Sequence, residues 1–162
     1  MWLSTLCGRR YTAQVADVRF HPEFAAQFEE LCTDPESWEV AAEVSQLVEA
    51  LEKYGHEIEG EDEEDASHPV VTSRVRMFAL RRTPPTEYTP YADDPPVLRI
   101  PYVWFVDGES KEEVAVVMFI GDKSGLKSAW YPGAVAKVEG HFIPSWTAEY
   151  PKHQPIPRSP RR

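Results

Sequence analysis

The residues best suited to chemistry in this chain are cations set among apolar runs: Arg74, Arg76, Arg81, Arg82, Arg99, Lys123 and Lys127, followed closely by Trp130 and Tyr131. A guanidinium presents a planar fork that clamps phosphate oxygens two at a time. Lysine or tyrosine beside a reacting phosphodiester can exchange protons with it. The set therefore fits an RNA site. It fits equally a solubilising strand face, with Trp130 and Tyr131 capping a core, and spacing alone leaves both readings open. Other chemistries lack their signatures: there is no G-x-S-x-G elbow, phosphate loop, G-x-G-x-x-G or HExxH. His21, His56, His68, His141 and His153 have no metal-site spacing, nor do Cys7 and Cys32, so neither a metal nor a cofactor is expected. Asp107 and Asp122 read as turn and loop residues.

The elements that must hold these side chains lie mainly in residues 97–142. The segments 97–106 and 114–120 are rich in β-branched and aromatic residues and are expected as buried strands. Asp107-Gly108 begins a turn between them, both residues tolerating positive φ. The second strand stops at Gly121, and a polar loop carries Asp122 and Lys123. Pro132 suits the first turn of a short helix with Val135, Val138 and Phe142 at helical spacing. Upstream, residues 70–80 are expected as a strand in which Arg74 and Arg76 share one face.

The N-terminal half supplies a first strand within residues 11–20, then two helices. His21-Pro22 opens one, with Phe20, Phe24, Phe28 and Leu31 as its apolar stripe. Asp34-Pro35 opens the other, with Asp34 as N-cap, Val40, Val44, Leu47, Leu51 and Tyr54 as a helix-pair seam, and Gly55 as its end. The expected fold class is α+β: a small curved antiparallel sheet of three to four strands packed on the 21–31 and 35–54 helices, with a short C-terminal helix. Residues 1–150 are expected as one domain. It carries an acidic loop at 57–68, where seven carboxylates fall within residues 57–65, and a proline-rich insertion at 83–96. Self-repulsion makes the acidic loop solvated and mobile. Residues 151–162, with four prolines and four basic side chains, are expected as a disordered basic tail.

Composition narrows the class further. At 162 residues and 42% hydrophobic, the chain can bury one real core, and no stretch has the apolar length of a membrane span. The opening MWLSTLCGRR places its arginines after the apolar residues, unlike a secretory signal, so a cytoplasmic location is expected. The net charge of −10 conceals a division. Residues 1–73 hold 17 acidic and 4 basic side chains; residues 74–162 hold 10 acidic and 13 basic ones. The second half can therefore present a basic face to phosphate even though the whole chain is acidic.

Taken in order, His21-Pro22-Glu23-Phe24, Ser73-Arg74 through Leu80-Arg81, Phe105-Val106-Asp107, Gly121-Asp122-Lys123, Trp130-Tyr131 and His141-Phe142 form a string of short motifs. This string, over about residues 20–142, resembles the RelE/HigB/ParE superfamily of bacterial toxins, and most closely its HigB-like, phage-related branch. The resemblance implies the toxin of a type II toxin–antitoxin system, a metal-independent endoribonuclease that cuts mRNA on the ribosome. Its implied partners are that mRNA and a separate helix-turn-helix antitoxin, with no membrane and no small-molecule cofactor. Carried over residue by residue, it makes Arg81, Arg99, Lys123 and Tyr131 the catalytic set, and Arg74, Arg76, Lys127 and Trp130 the RNA contacts. Arg99 lies eight residues before Asp107, where the family usually has six or seven, and a slip of one residue would turn it to the opposite face. The glutamate that usually precedes the Leu-Arg motif is Ala79 here.

Two other functions fit the same scaffold: a ParE-like inhibitor of gyrase that performs no chemistry, and a catalytically silent phage or host-interaction protein. Convergence of the Lys/Arg/Tyr set on one groove favours the nuclease; dispersal favours the others.

Overall fold

A computed structural model describes residues 15–62, 64–81, 97–123, 126 and 129–159. The proline-rich insertion, Arg82 and Lys127 lie outside the described residues, as do residues 11–14 of the expected first strand. The fold is α+β. Its strands are β1 (Asp17–Phe20), β2 (Ser67–Pro69), β3 (Met77–Arg81), β4 (Leu98–Asp107), β5 (Glu113–Val117), β6 (Gly121–Asp122) and β7 (His153–Pro155). Helices α1 (Pro22–Thr33) and α2 (Trp38–Tyr54) follow β1. A third helical run begins as α3 (Trp130–Lys137), widens into a π-turn (Val138–Phe142) and continues as α4 (Ile143–Glu149).

The two N-terminal helices form where the caps foretell. The side chain of His21 accepts from Glu23 N, and Pro22 occupies the first turn. Asp34 caps a short 3-10 turn before α2 by accepting from Glu36 N. Gly55 closes α2 at φ 57°, a conformation that glycine adopts without a Cβ penalty. Val44, Leu47 and Leu51 are buried in the seam, joined by Ala41 and Val48, whereas Tyr54 is exposed.

The sheet is mixed rather than antiparallel. Its order is β1-β5-β4-β3-β2, with β6 and β7 both pairing β4. Strands β2 to β5 are antiparallel to their neighbours, but β1 runs parallel to β5, from Asp17↔Val114 to Phe20↔Val117. Alternation along β1 establishes which side chains are buried, not the direction of its partner, so the parallel edge was not legible. The expected strand over 70–80 is also shorter. Residues 70–76 form the connection of the β2–β3 hairpin, which removes Arg74 and Arg76 from the strand.

The sheet has seven strands among the described residues, not the three to four expected, and helices cover both of its faces, where the N-terminal pair on one face was expected. On one, Leu80, Leu98, Ile100, Tyr102 and Trp104 pack with Phe24, Val44, Val48 and Leu51 of the helix pair. On the other, Met77, Ala79, Val103, Phe105 and Val116 pack with Ala134, Val138, Phe142 and Trp146 of the third helical run. That run is longer than the short helix expected. Pro144 cannot donate the hydrogen bond that an α-helix needs there. The ladder bypasses this by a wider turn, in which Ile143 N bonds Val138 O, and then proceeds to Glu149.

Two further expectations are corrected. Residues 151–159 are not a disordered tail. Strand β7 pairs β4 at Phe105↔Pro155 and Asp107↔His153, and Arg158 donates to the carbonyls of Ser73, Val70 and Met77. Prolines fit here because β7 is short and at an edge, and the Arg158 guanidinium adds a second donor to the carbonyls of Val70 and Met77, which also accept from Ser73 N and Val70 N. The acidic loop is likewise held rather than mobile. Gly60 N bonds Ser67 O, Asp65 N bonds Asp62 O, and His68 and Arg81 both donate to Asp62 O. Its backbone is tied down while most of its carboxylates stay in solvent. In the β4–β5 connection, positive φ falls on Lys111, at 65°, and Asp107 Oδ1 accepts from the amides of Glu109 and Ser110.

Candidate phosphodiester site

Arg81 and Arg99 are paired residues of β3 and β4, so their side chains leave the same face of the sheet side by side. Alternation fixes which face: Leu98 and Ile100 point to the helix pair, and Arg99 therefore points to the face roofed by the third helical run. Because β4 runs unbroken from Leu98 to Asp107, Arg99 and Asp107, eight residues apart, share one face.

A bulge brings Lys123 to the same place. The pairing runs Tyr102↔Val117 and then Arg99↔Gly121, so three steps on β4 oppose four on the neighbouring chain. The extra residue lies between β5 and β6, and its local break in the ladder is filled by a side chain. Gln27 of α1 accepts from Ile120 N at 2.8 Å and donates to Ile120 O at 3.1 Å. Beyond the bulge, Lys123 N bonds Val97 O, which ties the end of β6 to the start of β4.

The start of α3 closes the site. The Trp130 indole lies so close to Gly121 that a Cβ there would sit 2.4 Å from Trp130 Cζ2. Any larger residue would displace the indole, and glycine is required for this approach. Trp130 also meets Phe119 and stands edge-on to Tyr131 at 5.2 Å. Tyr131 is thereby set over the sheet end. Arg99 Nε donates to its hydroxyl at 3.3 Å, and Lys123 Nζ lies 5.5 Å from its ring centroid.

The site is electropositive, and that shapes its chemistry. Partial burial holds the Lys123 ammonium below the ordinary lysine range, and the Arg99 charge adds to this; Tyr131 opposes the shift, while Arg81 reinforces it. A lysine lowered in this way is a better proton donor than one in water. The Arg81 guanidinium also donates to the carbonyls of Asp65 and Asp62, at 3.1 and 2.8 Å, which ties the acidic loop to the rim of the site.

Of the residues expected at the site, Arg81, Arg99, Lys123 and Tyr131 converge, with Trp130 packed behind them. Arg74 and Arg76 do not join them. Arg74 lies against the third helical run, its backbone N donating to Glu139. Arg76 lies 3.7 Å from Glu113, and its carbonyl accepts from Trp104, five residues and about 17 Å up β4 from Arg99.

Around Arg76 lies a second polar network that sequence reasoning missed. Glu59, whose side chain is 8% exposed, accepts from Tyr102 Oη and Trp104 Nε1, both at 2.6 Å. His56 bridges Glu59 and Glu113 while stacked on Trp104. Burial and the Glu59 carboxylate push the Tyr102 phenol well up. Nothing distinguishes Glu59 from its six acidic neighbours in sequence; only the fold selects it.

Ser145 and His21 are 2.7 Å apart, as in a hydrolase pair, but their hydrogen bonds exclude that role. His21 Nδ1 accepts from Glu23 N, so its proton is on Nε2 and points at Ser145 Oγ, which in turn donates to Phe142 O. Among the described residues, no group of three or more His, Cys, Asp and Glu could hold a metal ion, and no helix is long and apolar enough to cross a membrane. Compared with protein-family models, curated proteins and solved structures, the chain has no match.

Proposed function

We propose that the chain is a RelE/HigB-like toxin that cleaves mRNA on the ribosome, with Arg81, Arg99, Lys123 and Tyr131 as its active centre. The observation that carries this reading is the meeting of those four side chains, drawn from β3, β4, the loop after β6 and α3. A solubilising face would have no need to gather like charges at one sheet end beside an aromatic hydroxyl.

In the proposed reaction an RNA 2′-hydroxyl attacks the adjacent phosphorus, the bond to the 5′-oxygen breaks, and a cyclic phosphate remains. The attacking hydroxyl loses its proton to water, eased by the surrounding positive charge. Arg99 and Arg81 offset charge on the phosphorane oxygens. Lys123, already poised to release a proton, supplies it to the leaving 5′-oxygen. Tyr131 orients Arg99 and offers its ring to a neighbouring base. A cognate antitoxin would have to cover this site or hold it away from the ribosome.

The test is cleavage of mRNA on translating ribosomes, read by mapping new 5′ ends after induction. Wild type should generate discrete ends, and Arg99→Ala and Lys123→Ala, each shown to be folded, should lower the rate by roughly a hundredfold or more. A wild-type protein that generates no ends would end the nuclease reading in favour of a non-enzymatic inhibitor.

A further inference from the structure

Beside the cation cluster, and sharing Tyr131 with it, lies a cleft of about 380 Å3 between the β2–β3 connection and the start of α3. His68, Pro69, Val71, Thr72, Tyr131 and Pro132 line it. Its size is within the ~300–1,000 Å3 typical of small-ligand sites. The walls are largely apolar and stiff: two proline rings, a tyrosine, and Val71, which is 47% exposed. An exposed valine facing a tyrosine across a cleft is a place for a flat ring to slide in and stack.

The polar character of the cleft is set by His68. Its Nε2 is 2.7 Å from the carbonyl of Asp62, and a carbonyl can only accept, so the Nε2 carries the proton. Neutral His68 then has its Nδ1 lone pair left as an acceptor, with no hydrogen-bond partner among the described residues. The acidic loop thus has a second consequence: by accepting from His68 it fixes the tautomer of a ring that lines the cleft. An acceptor in a flat apolar cleft selects a ring that carries an amino group over one that carries a carbonyl at the same place.

We propose that this cleft is a nucleobase subsite that prefers a base with an exocyclic amino group. The phosphate of the same nucleotide is held by Arg99 and Lys123 on the other side of Tyr131. The inference rests on the phosphodiester reading of the cation cluster and adds to it a determinant of sequence preference. The two parts of a nucleotide match the two neighbourhoods that share Tyr131: the cations at its hydroxyl and ring, and the largely apolar cleft that it lines.

Cytidine and uridine monophosphates separate the terms, since they share phosphate, ribose and ring size and differ at one edge, an amino group beside an acceptor nitrogen against a carbonyl beside an N–H. Binding to the full chain is followed by backbone amide shifts. The expected result is that the cytidine nucleotide binds about three- to tenfold more tightly, with shifts at residues 68 and 70–72. His68→Phe, which keeps a flat ring and removes the acceptor, should bring the ratio to about one. Val71→Trp, at an exposed position, should fill the cleft and weaken the cytidine nucleotide, which guards against His68→Phe failing to fold. Arg99→Ala should weaken both nucleotides alike. Equal binding of the two by wild type, with Arg99→Ala weakening both, would overturn the base cleft and leave the phosphate site standing. Binding indifferent to Arg99 and Lys123 would overturn both.

Discussion

Arg81 and Arg99 stand directly opposite one another on adjacent strands, two like charges as a cross-strand pair. Such a juxtaposition is unfavourable by roughly 0.2–1 kcal/mol relative to a neutral pair. Arg99→Gln should therefore leave the melting temperature unchanged or raise it by a few degrees, at about 2–4 °C per kcal/mol. The same change should weaken RNA binding and flatten its salt dependence. A thermal melt beside a binding titration at two salt concentrations checks this. A clear loss of stability with RNA binding intact would make the pair structural.

The C-terminal strand ties the sheet to the β2–β3 connection through one side chain. Arg158 donates to three carbonyls, of Ser73, Val70 and Met77. Hydrogen bonds from a charged donor contribute about 1.5–3 kcal/mol. Arg158→Ala should lower the melting temperature by about 3–12 °C, and truncation before His153 by more. An unchanged melt for the truncated chain would show that β7 adds nothing.

The sequence made some of this legible because local chemistry decided it. The helix starts at Pro22 and Asp34, the Gly55 stop and the apolar stripes up to Leu51 rest on interactions between near neighbours, and they act as expected, whereas the His21 cap and the exposure of Tyr54 were not foreseen. Arg81, Arg99 and Lys123 stand at strand and loop ends, whereas Tyr131 comes from the first turn of α3 and not from the loop expected. What the sequence hid depends on distant partners. The parallel pairing of β1, the docking of 151–159 on β4 and the burial of Glu59 each turn on residues tens of positions away. Arg74 and Arg76 were placed on a strand by alternation alone, yet the ladder begins only at Met77.

Acid should loosen the joint between α1 and α4. His21 is 4% exposed and caps α1 through a neutral Nδ1, and its Nε2 meets Ser145. Burial lowers its pKa from the ordinary 6.5, partly offset by Glu23 and reinforced by His141. The unfolded chain therefore binds the proton more readily than the folded one, and stability rises with pH across the interval between the two values. His21's contribution should be complete above about pH 6.5 and be lost as pH falls from there toward the folded value. Denaturant midpoints measured from pH 7.5 to 5 should decline less in His21→Asn, which keeps an N-cap acceptor without a titrating ring. Parallel declines in the two proteins would assign the acid sensitivity elsewhere.

Lys123 gives the sharpest prediction, because its position in the proposed reaction requires a proton. Burial and the neighbouring Arg99 charge lower its pKa from 10.5, so the ammonium is lost at a lower pH than an exposed lysine would allow. If that ammonium protonates the leaving oxygen, kcat should fall as pH rises through the lowered value, ahead of ordinary lysine titration. Lys123→Arg keeps the charge but does not deprotonate in this range. It should retain binding, lose most of the rate, and show no alkaline limb from this position. Tyr131→Phe provides the control, since it removes the hydroxyl that Arg99 meets in the same site; with the hydroxyl gone, the Lys123 limb should persist. Single-turnover cleavage between pH 6 and 10 by wild type and both variants decides the matter. An alkaline limb that survives Lys123→Arg and disappears in Tyr131→Phe would move the general acid from the lysine to the tyrosine.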